Sequence, residues 1–322
     1  MTPERIIVLG AGAIGCAMAA AFVEGGGRVV LVARGAAYDA ISRDGVDVRT
    51  PAGGRRVPVE VVASVREATP TADDLVALAV MGQHTAEAMA EVSPGVPVAS
   101  FQNGLEPLDV LTRRGHPVIA CMVWVPAERR APGEVALVGV PYPGAVLMGP
   151  WGAPSERLDA LAHAVVPALV QGGFRAEVEP DIAPWIRAKL LVNLGGLAIA
   201  LSDAPPEELV TAAEDEARAV FDAAGEAYIP ADVFQSRIGP LRAEPVDGRA
   251  RVGGSTRSAL ARGEPLESAT LHGSIVSRGA RLGVATPVNA GWIRAAERAV
   301  REKLAPGSLD AETVRAWVNA GA

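Results

Sequence analysis

Apolar residues in the first half of the chain come in short unbroken runs. Residues 5–10 (RIIVLG), 28–33 (RVVLVA), 75–80 (LVALAV), 96–101 (VPVASF) and 118–123 (VIACMV) are each bounded by Gly, Pro or polar residues. Runs of this length suit strands buried on both faces of a parallel sheet, where no alternate position has to meet water. Between several of them lie helical candidates, IGCAMAAAFVEGG from Ile14 and HTAEAMAEV from His84 among them. Strand and helix in alternation predict a doubly wound α/β domain. Residues 133–139 and 145–151 read as further strands late in the same sheet, and 155–173 as an amphipathic helix with Ser155 as N-cap.

After about residue 180 the strand runs stop. The pattern predicts helices over 184–201, 205–228, 255–262, 266–283, 287–304 and 309–319, with a Pro- and Gly-punctuated stretch at 229–254. The expected organisation is therefore α/β followed by all-α, with domains at 1–179 and 180–322. No internal repeat or low-complexity tract interrupts it.

Composition narrows the function classes. Aromatics make up only 4% of the 322 residues, so the core must be built from Ala, Val and Leu. The net charge of −7 argues against nucleic acid or an anionic membrane as partner. It also requires any anionic ligand to be held by local cations. Cys16 and Cys121 form no C-x-x-C spacing and read as small buried apolar residues in a reducing, cytoplasmic setting. No targeting segment is expected, because an acidic residue precedes the first apolar run and no cleavage-type pattern follows. The stretch Leu190 to Leu201 is broken by Asn193, Gly195 and Gly196 and is too short to span a bilayer. His84, His116, His163 and His272 are scattered without metal-ligand spacing, so no metal is predicted.

Chemistry enters first at VLGAGAIG. Gly10, Gly12 and Gly15 stand in G-x-G-x-x-G, with Ala11, Ala13 and Ile14 between them. The first glycine permits a tight turn off the strand, the second lets the backbone approach a pyrophosphate, and the third lets helix and sheet pack closely. The pyrophosphate would meet the N–H groups at the helix start. A strand before the motif, a helix after it and a second strand at 28–33 supply the context that a lone match lacks. This predicts a Rossmann-type nucleotide domain. At the end of the second strand, where a carboxylate would bind the adenosine ribose of NAD, the chain has Arg34. A guanidinium suits a 2′-phosphate, which predicts NADP(H).

The second constellation lies in WIRAKLLVNLGG, residues 185–196. Lys189 and Asn193 are four apart and share one helix face beside Leu190, Leu191 and Leu194. Such a stripe faces either solvent or a cleft that needs both groups. Hydride transfer to a carbonyl also needs a proton donor, and a partly desolvated lysine can serve.

These motifs, in this order, resemble the ketopantoate reductases (2-dehydropantoate 2-reductases) over nearly the whole chain. GAGAIG is followed by FQNGLE, by VIACMVWVPAERRAPGEVALVG, by DIAPWIRAKLLVN, by STRSALARGEPLES and by GARLGVATPVN, each similar to a family segment. The resemblance implies Lys189 as catalytic lysine and Glu267 as its acidic companion. It implies Asn103, Asn193 and Ser255 as substrate contacts, with Asn103 also near the nicotinamide. The implied reaction is NADPH-dependent reduction of a small anionic 2-oxo acid, most simply 2-dehydropantoate to (R)-pantoate, and a homodimer is compatible with it.

The chain departs from the family pattern at several positions. Leu197 stands where a second helix asparagine is expected, and Leu266, Ala269 and His272 where Thr, Asp and Asn are expected. Val80 or Met81 replaces a lysine expected after the third strand. The loss of polar groups near the presumed pocket favours, as an alternative, a relative reducing another 2-oxo acid or an imine; a cofactor-binding sensor is a further rival, against which the retained Lys189 and Glu267 speak. His272 reads equally well as a polar contact or as a helix-surface residue.

Overall fold

In the computed structural model, which describes residues 2–251 and 253–320, the chain forms two compact units. The first comprises Met1–Gln102, Pro107–Ala183 and Asp232–Arg251. The second comprises Asn103–Glu106, Pro184–Ala231 and Val252–Ala322.

The first unit is built on strands β1 (Ile6–Leu9), β2 (Val29–Val32), β3 (Val46–Thr50), β4 (Gly53–Val57), β5 (Glu60–Val62), β6 (Leu75–Leu78), β7 (Val98–Ser100), β8 (Val118–Trp124), β9 (Ala127–Ala131), β10 (Glu134–Leu137), β11 (Gly139–Val140), β12 (Ala145–Pro150), β13 (Arg175–Val178) and β14 (Arg242–Ala243). Eight of them make one sheet in the order β13-β12-β8-β7-β6-β1-β2-β5. All its pairs are parallel except β12 with β8. The unbroken runs become its central strands, and β1, β2 and β6 are buried at every position.

Helices α1 (Ala13–Glu24), α2 (Gly35–Asp44), α3 (Val65–Ala68), α4 (Thr85–Ala88), α5 (Glu106–Arg113) and α6 (Glu156–Gln171) follow the strands. The scarcity of aromatics is met by close approach. A Cβ at Gly25 would lie 2.3 Å from Ala168, and one at Gly172 would lie 2.6 Å from Ala21. Small residues thus let α1 and α6 pack at short range, where dispersion contacts are dense.

Three expectations need correction. Residues 133–139 do not join the main sheet: β10 pairs with β3 and β9 in a second, four-stranded sheet. The segment HTAEAMAEV is helical only in its first half: a short 3₁₀ turn at Gly82–His84 and the single turn of α4 end where Met89 is fully buried. The stretch 229–254 contains a helix over Ala231–Ile238 and strand β14, and Asp232–Arg251 belongs to the sheet unit. Its anchors are β14 pairing with β11, Phe234 set edge-on to Trp124 at 5.7 Å, and the Tyr142 hydroxyl donating to the Ile238 carbonyl.

The second unit is helical: α7 (Ala183–Leu194), α8 (Gly196–Leu201), α9 (Glu207–Ala224), then α10 (Ala231–Ile238) leading out of it, and α11 (Ser255–Ala261), α12 (His272–Leu282), α13 (Pro287–Arg301) and α14 (Ala311–Asn319). The predicted helix 184–201 is two helices, because the Gly195–Gly196 pair is a weak helix former and Gly195 caps α8. By length and composition Ala183–Leu201 could cross a membrane, but 67% of that window is buried within the fold. Trp292, Leu197, Leu201, Ala213, Leu266 and Val314 share its core.

Candidate active site

The residues singled out by the sequence gather in two clusters, one in each unit. In the first, β1 ends at the point where the sheet order runs outward in both directions, to β2 on one side and to β6 on the other. Ligands of doubly wound sheets bind at such switch points, beyond the carboxyl ends of the strands. The glycines there divide the work as their spacing demands. Gly10 has φ +106°, and a Cβ on it would press to 2.8 Å from Val80. A Cβ on Gly15 would lie 1.7 Å from the Gly10 carbonyl oxygen, so only glycine lets α1 start against the turn. Gly12 faces open space, with nothing within 4 Å of an added Cβ. Gly12 is also the N-cap of α1 and gives no side-chain cap, so the first N–H groups of this helix have no side-chain acceptor there.

A cleft of about 420 Å³ opens on this turn. Gly10, Ala11, Gly12, Val80, Arg34, His84, Glu87 and Arg129 all line it. A bare turn, an uncapped helix start and two guanidiniums fit a dinucleotide phosphate group. Arg34 is at the end of β2 as expected and is well exposed, with its guanidinium 3.7 Å from the Glu87 carboxylate. His84 Nδ1 lies 3.8 Å from the same carboxylate. Beyond the third central strand, β6, Val80 packs on Gly10, so the cation expected there is absent from that position.

The second cluster brings four of the predicted residues into one chain of hydrogen bonds. Lys189 Nζ donates to Asn193 Oδ1 at 2.8 Å. Asn193 Nδ2 donates to Asn103 Oδ1 at 3.2 Å. Asn103 Nδ2 donates to Glu267 Oε2 at 3.3 Å. The two ends fix the direction of both amides. An ammonium can only donate and a carboxylate can only accept, so each asparagine must present oxygen toward Lys189 and nitrogen toward Glu267. Turning either amide over would set donor against donor or acceptor against acceptor. All four side chains are half-buried.

Local sequence explains how they meet. Lys189 and Asn193 are one turn apart on α7. Asn103 stands at the head of a loop that belongs with the helical unit, although it leaves the sheet after β7. Gly104 follows with φ +86°, and a Cβ there would sit 3.0 Å from the Thr270 carbonyl. That close approach needs glycine and carries Asn103 to Glu267. Glu267 opens the 3₁₀ turn Glu267–Ala269, and its carbonyl is tied by Thr270 Oγ1 and the Leu271 N–H. Ser255 is placed differently: it is exposed in the first turn of α11, and none of the bonds of the relay reaches it.

The departures from the family pattern also find their places. Leu197 and Leu266 are buried together in the helical core, and Ala269 is exposed. His272 is not on the surface: it is 1% exposed, with Nδ1 2.9 Å from Asn289 Oδ1. Burial pulls its pKa down to about 4, against the pull of Asn289 and the Leu194 carbonyl toward the charged form. Asn289 Nδ2 in turn donates to Glu216 and to the Ala213 carbonyl. Sequence reasoning passed over Asn289 and Glu216; the P-x-N of the closing motif marked the first, and nothing marked the second. Cys16 and Cys121 are buried free thiols, Cys16 pushed up to about 12 by burial despite nearby Arg129, and Cys121 held well above its ordinary value by burial. Among the described residues no group of three or more His, Cys, Asp or Glu is placed to hold a metal.

A doubly wound sheet with a bare glycine turn at its switch point, followed by a helical unit, defines a Rossmann-type α/β unit joined to an all-α one. The chain belongs to the ketopantoate reductase family. Residues 6–153 match the family described as ketopantoate reductase PanE/ApbA, and residues 182–298 match its C-terminal part. The 2-dehydropantoate 2-reductase of Archaeoglobus fulgidus is 27% identical over 90% of this chain and 95% of its own. That of Halobacterium salinarum is 29% identical over 88% of this chain and 95% of its own. The crystal structure of a PanE/ApbA family ketopantoate reductase from Ralstonia eutropha shares the fold at TM-score 0.74, with 24% identity, covering 94% of this chain and 99% of that one. The protein is accordingly an oxidoreductase of the C=O/CH–OH couple.

Proposed function

We propose that this enzyme reduces a small anionic 2-oxo acid with NADPH, most simply 2-dehydropantoate to (R)-pantoate. The observation that carries the reading is the directed relay Lys189–Asn193–Asn103–Glu267, which gives an ammonium a fixed place on the helical unit. In this reading residues 1–179, apart from the loop Asn103–Glu106 that belongs with the helical unit, serve the nucleotide, and 180–322, apart from Asp232–Arg251, serve the substrate and catalysis. The glycine turn, with Ala11, Ala13 and Ile14, receives the pyrophosphate, and Arg34 the 2′-phosphate. The bound nicotinamide supplies a hydride.

The chain's own residues do the rest. Lys189 donates a hydrogen bond to the substrate carbonyl oxygen and delivers a proton as charge develops there. Asn193 holds the ammonium in one direction, which favours alignment over free rotation of a four-carbon stem. Asn103 uses one N–H on Glu267, and the second N–H of the same amide serves the substrate carboxylate. Ser255, on its exposed helix start, adds a further donor. Glu267 accepts from Asn103 and from a hydroxyl of the substrate. No metal takes part in this scheme, and two buried free thiols fit a cytoplasmic enzyme.

A second reading is a relative that reduces a different 2-oxo acid or an imine. The positions where the family resemblance expects Asn, Thr and Asp are Leu197, Leu266 and Ala269 here, with the two leucines turned into the helical core, so those polar groups are not offered to a hydroxylated substrate, which favours it. One experiment separates the two: purified enzyme, NADPH and a panel of 2-oxo acids, followed by loss of NADPH absorbance. Ketopantoate turned over well above the rest supports the first reading, and a preference for another acid supports the second. Lys189→Ala is expected to lower kcat roughly 10²–10⁴-fold, the range for loss of a general acid. Turnover like the wild type in that variant would refute the mechanism.

A further inference from the structure

We propose that Glu87 sets the choice between the two nicotinamide dinucleotides, by holding Arg34 in a pair that a ribose 2′-hydroxyl can join and a 2′-phosphate must displace. The proposal rests on the dinucleotide reading of the glycine-turn cleft and goes beyond it, because the residue that follows β2 is usually taken to decide cofactor identity by itself. Here it does not stand alone. Arg34 and Glu87 both line the cleft and approach to 3.7 Å, Arg34 from the start of α2 and Glu87 from α4. Arg129 also lines the cleft, and His84 lies one turn before Glu87 with its ring 3.8 Å from the same carboxylate. Val80 adds no charge.

Both members of the Arg34–Glu87 pair are well exposed, so the pair itself is loose and readily rearranged. Its importance lies in what a ligand meets. A carboxylate that accepts hydrogen bonds is a partner for a 2′-hydroxyl, as an acidic side chain is in NAD sites. To a 2′-phosphate, close to a dianion, the same carboxylate is a like charge beside the guanidinium that should bind it. In water-like surroundings, removing one such charge at about 6 Å from a dianion changes affinity about tenfold. Short α4 presents the carboxylate on an exposed turn, so replacing it disturbs no core packing.

Dissociation constants for NADPH and for NADH, read from nicotinamide fluorescence on the full chain, test this without turnover. Glu87→Gln removes the charge and keeps an acceptor. It is expected to tighten NADPH about tenfold and leave NADH within threefold of wild type. Glu87→Ala should tighten NADPH similarly and weaken NADH about threefold. The gain for NADPH should shrink as salt is raised, because exposed charges are screened. If Glu87→Gln leaves the ratio of the two constants within threefold of wild type while both dinucleotides bind, the role of Glu87 is overturned and the cleft reading stands. If wild type binds neither dinucleotide, the cleft reading falls, and the Glu87 proposal with it.

Discussion

At the scale of the residue, the relay is informative because its polarity is forced. Two asparagines between an ammonium and a carboxylate have one permitted orientation each, and the pattern fixes which amide atom faces which neighbour. Asn103→Asp probes it with almost no change of shape. One oxygen of the new carboxylate still accepts from Asn193, but the other faces Glu267 Oε2, where an N–H donated at 3.3 Å. Two half-buried carboxylates at that range cannot both ionise cheaply, so the pair must hold a proton with a raised apparent pKa. A raised folded-state carboxyl pKa means lost stability above that pKa and recovery as the pH falls through it. We expect Asn103→Asp to melt below wild type at pH 8, with the deficit shrinking toward pH 5. Melting curves across that range decide it, and a deficit that is constant with pH would show that Asn103 and Glu267 are not in contact in solution.

At the scale of the element, α13 shows how a helix start can be completed from elsewhere in the chain. Pro287 sits at its first turn and the N-cap Thr286 offers no side-chain bond. Glu216, on α9, instead accepts from the Val288 and Asn289 N–H groups at 2.8 and 2.9 Å and from Asn289 Nδ2 at 2.7 Å. A carboxylate there meets both the orphan donors and the positive end of the helix dipole. Loss of charged hydrogen bonds predicts that Glu216→Ala destabilises by about 2–3 kcal/mol, and that Glu216→Gln recovers part of it. Chemical denaturation of the three proteins checks the order; equal midpoints would remove the cap. Nothing local announces Glu216, since the two helices are about 70 residues apart. The same distinction separates what was legible elsewhere. β1, β2 and β6 stand out as unbroken apolar runs because both of their faces are buried. β4, with GGRRV, carries arginines on an open face, and β9, with AERRA, carries an exposed Arg129 and an Arg130 that donates to the Val246 carbonyl, so both lack that mark. Lys189 and Asn193 are visible as a pair through helix periodicity alone. Asn103 and Glu267 lie 164 residues apart and are joined only by the fold, so the sequence reached them through family likeness rather than through spacing.

At the scale of the whole molecule, buried imidazoles decide how stability responds to acid. Each unit carries one. His116 in the sheet unit has its pKa lowered by burial, against a bond to the Val96 carbonyl and with help from Arg114. His272 in the helical unit is lowered to about 4. For a base whose folded pKa lies below its unfolded value of 6.5, the unfolded chain takes up a proton that the folded chain refuses. The stabilisation is complete above pH 6.5 and is lost as the pH falls toward 4. For His272 alone the loss across that window is about 3 kcal/mol, a large part of a typical domain's stability. Asp74 extends the same trend below it: burial pushes its carboxyl up, but hydrogen bonds from Arg5 and Thr71 outweigh that and hold it below the usual range. The protein should therefore lose stability steeply between pH 6.5 and 4.5, before most carboxylates titrate. His272→Asn isolates the cause. It keeps a polar group beside Asn289, removes the titration, and leaves a smaller side chain in the core. The cavity lowers stability by a similar amount at every pH, whereas the lost titration flattens the acid limb. The slope of unfolding free energy against pH, and not its offset, is the quantity to compare. A slope that is the same in wild type and His272→Asn would mean that the buried ring does not set the acid sensitivity of the helical unit.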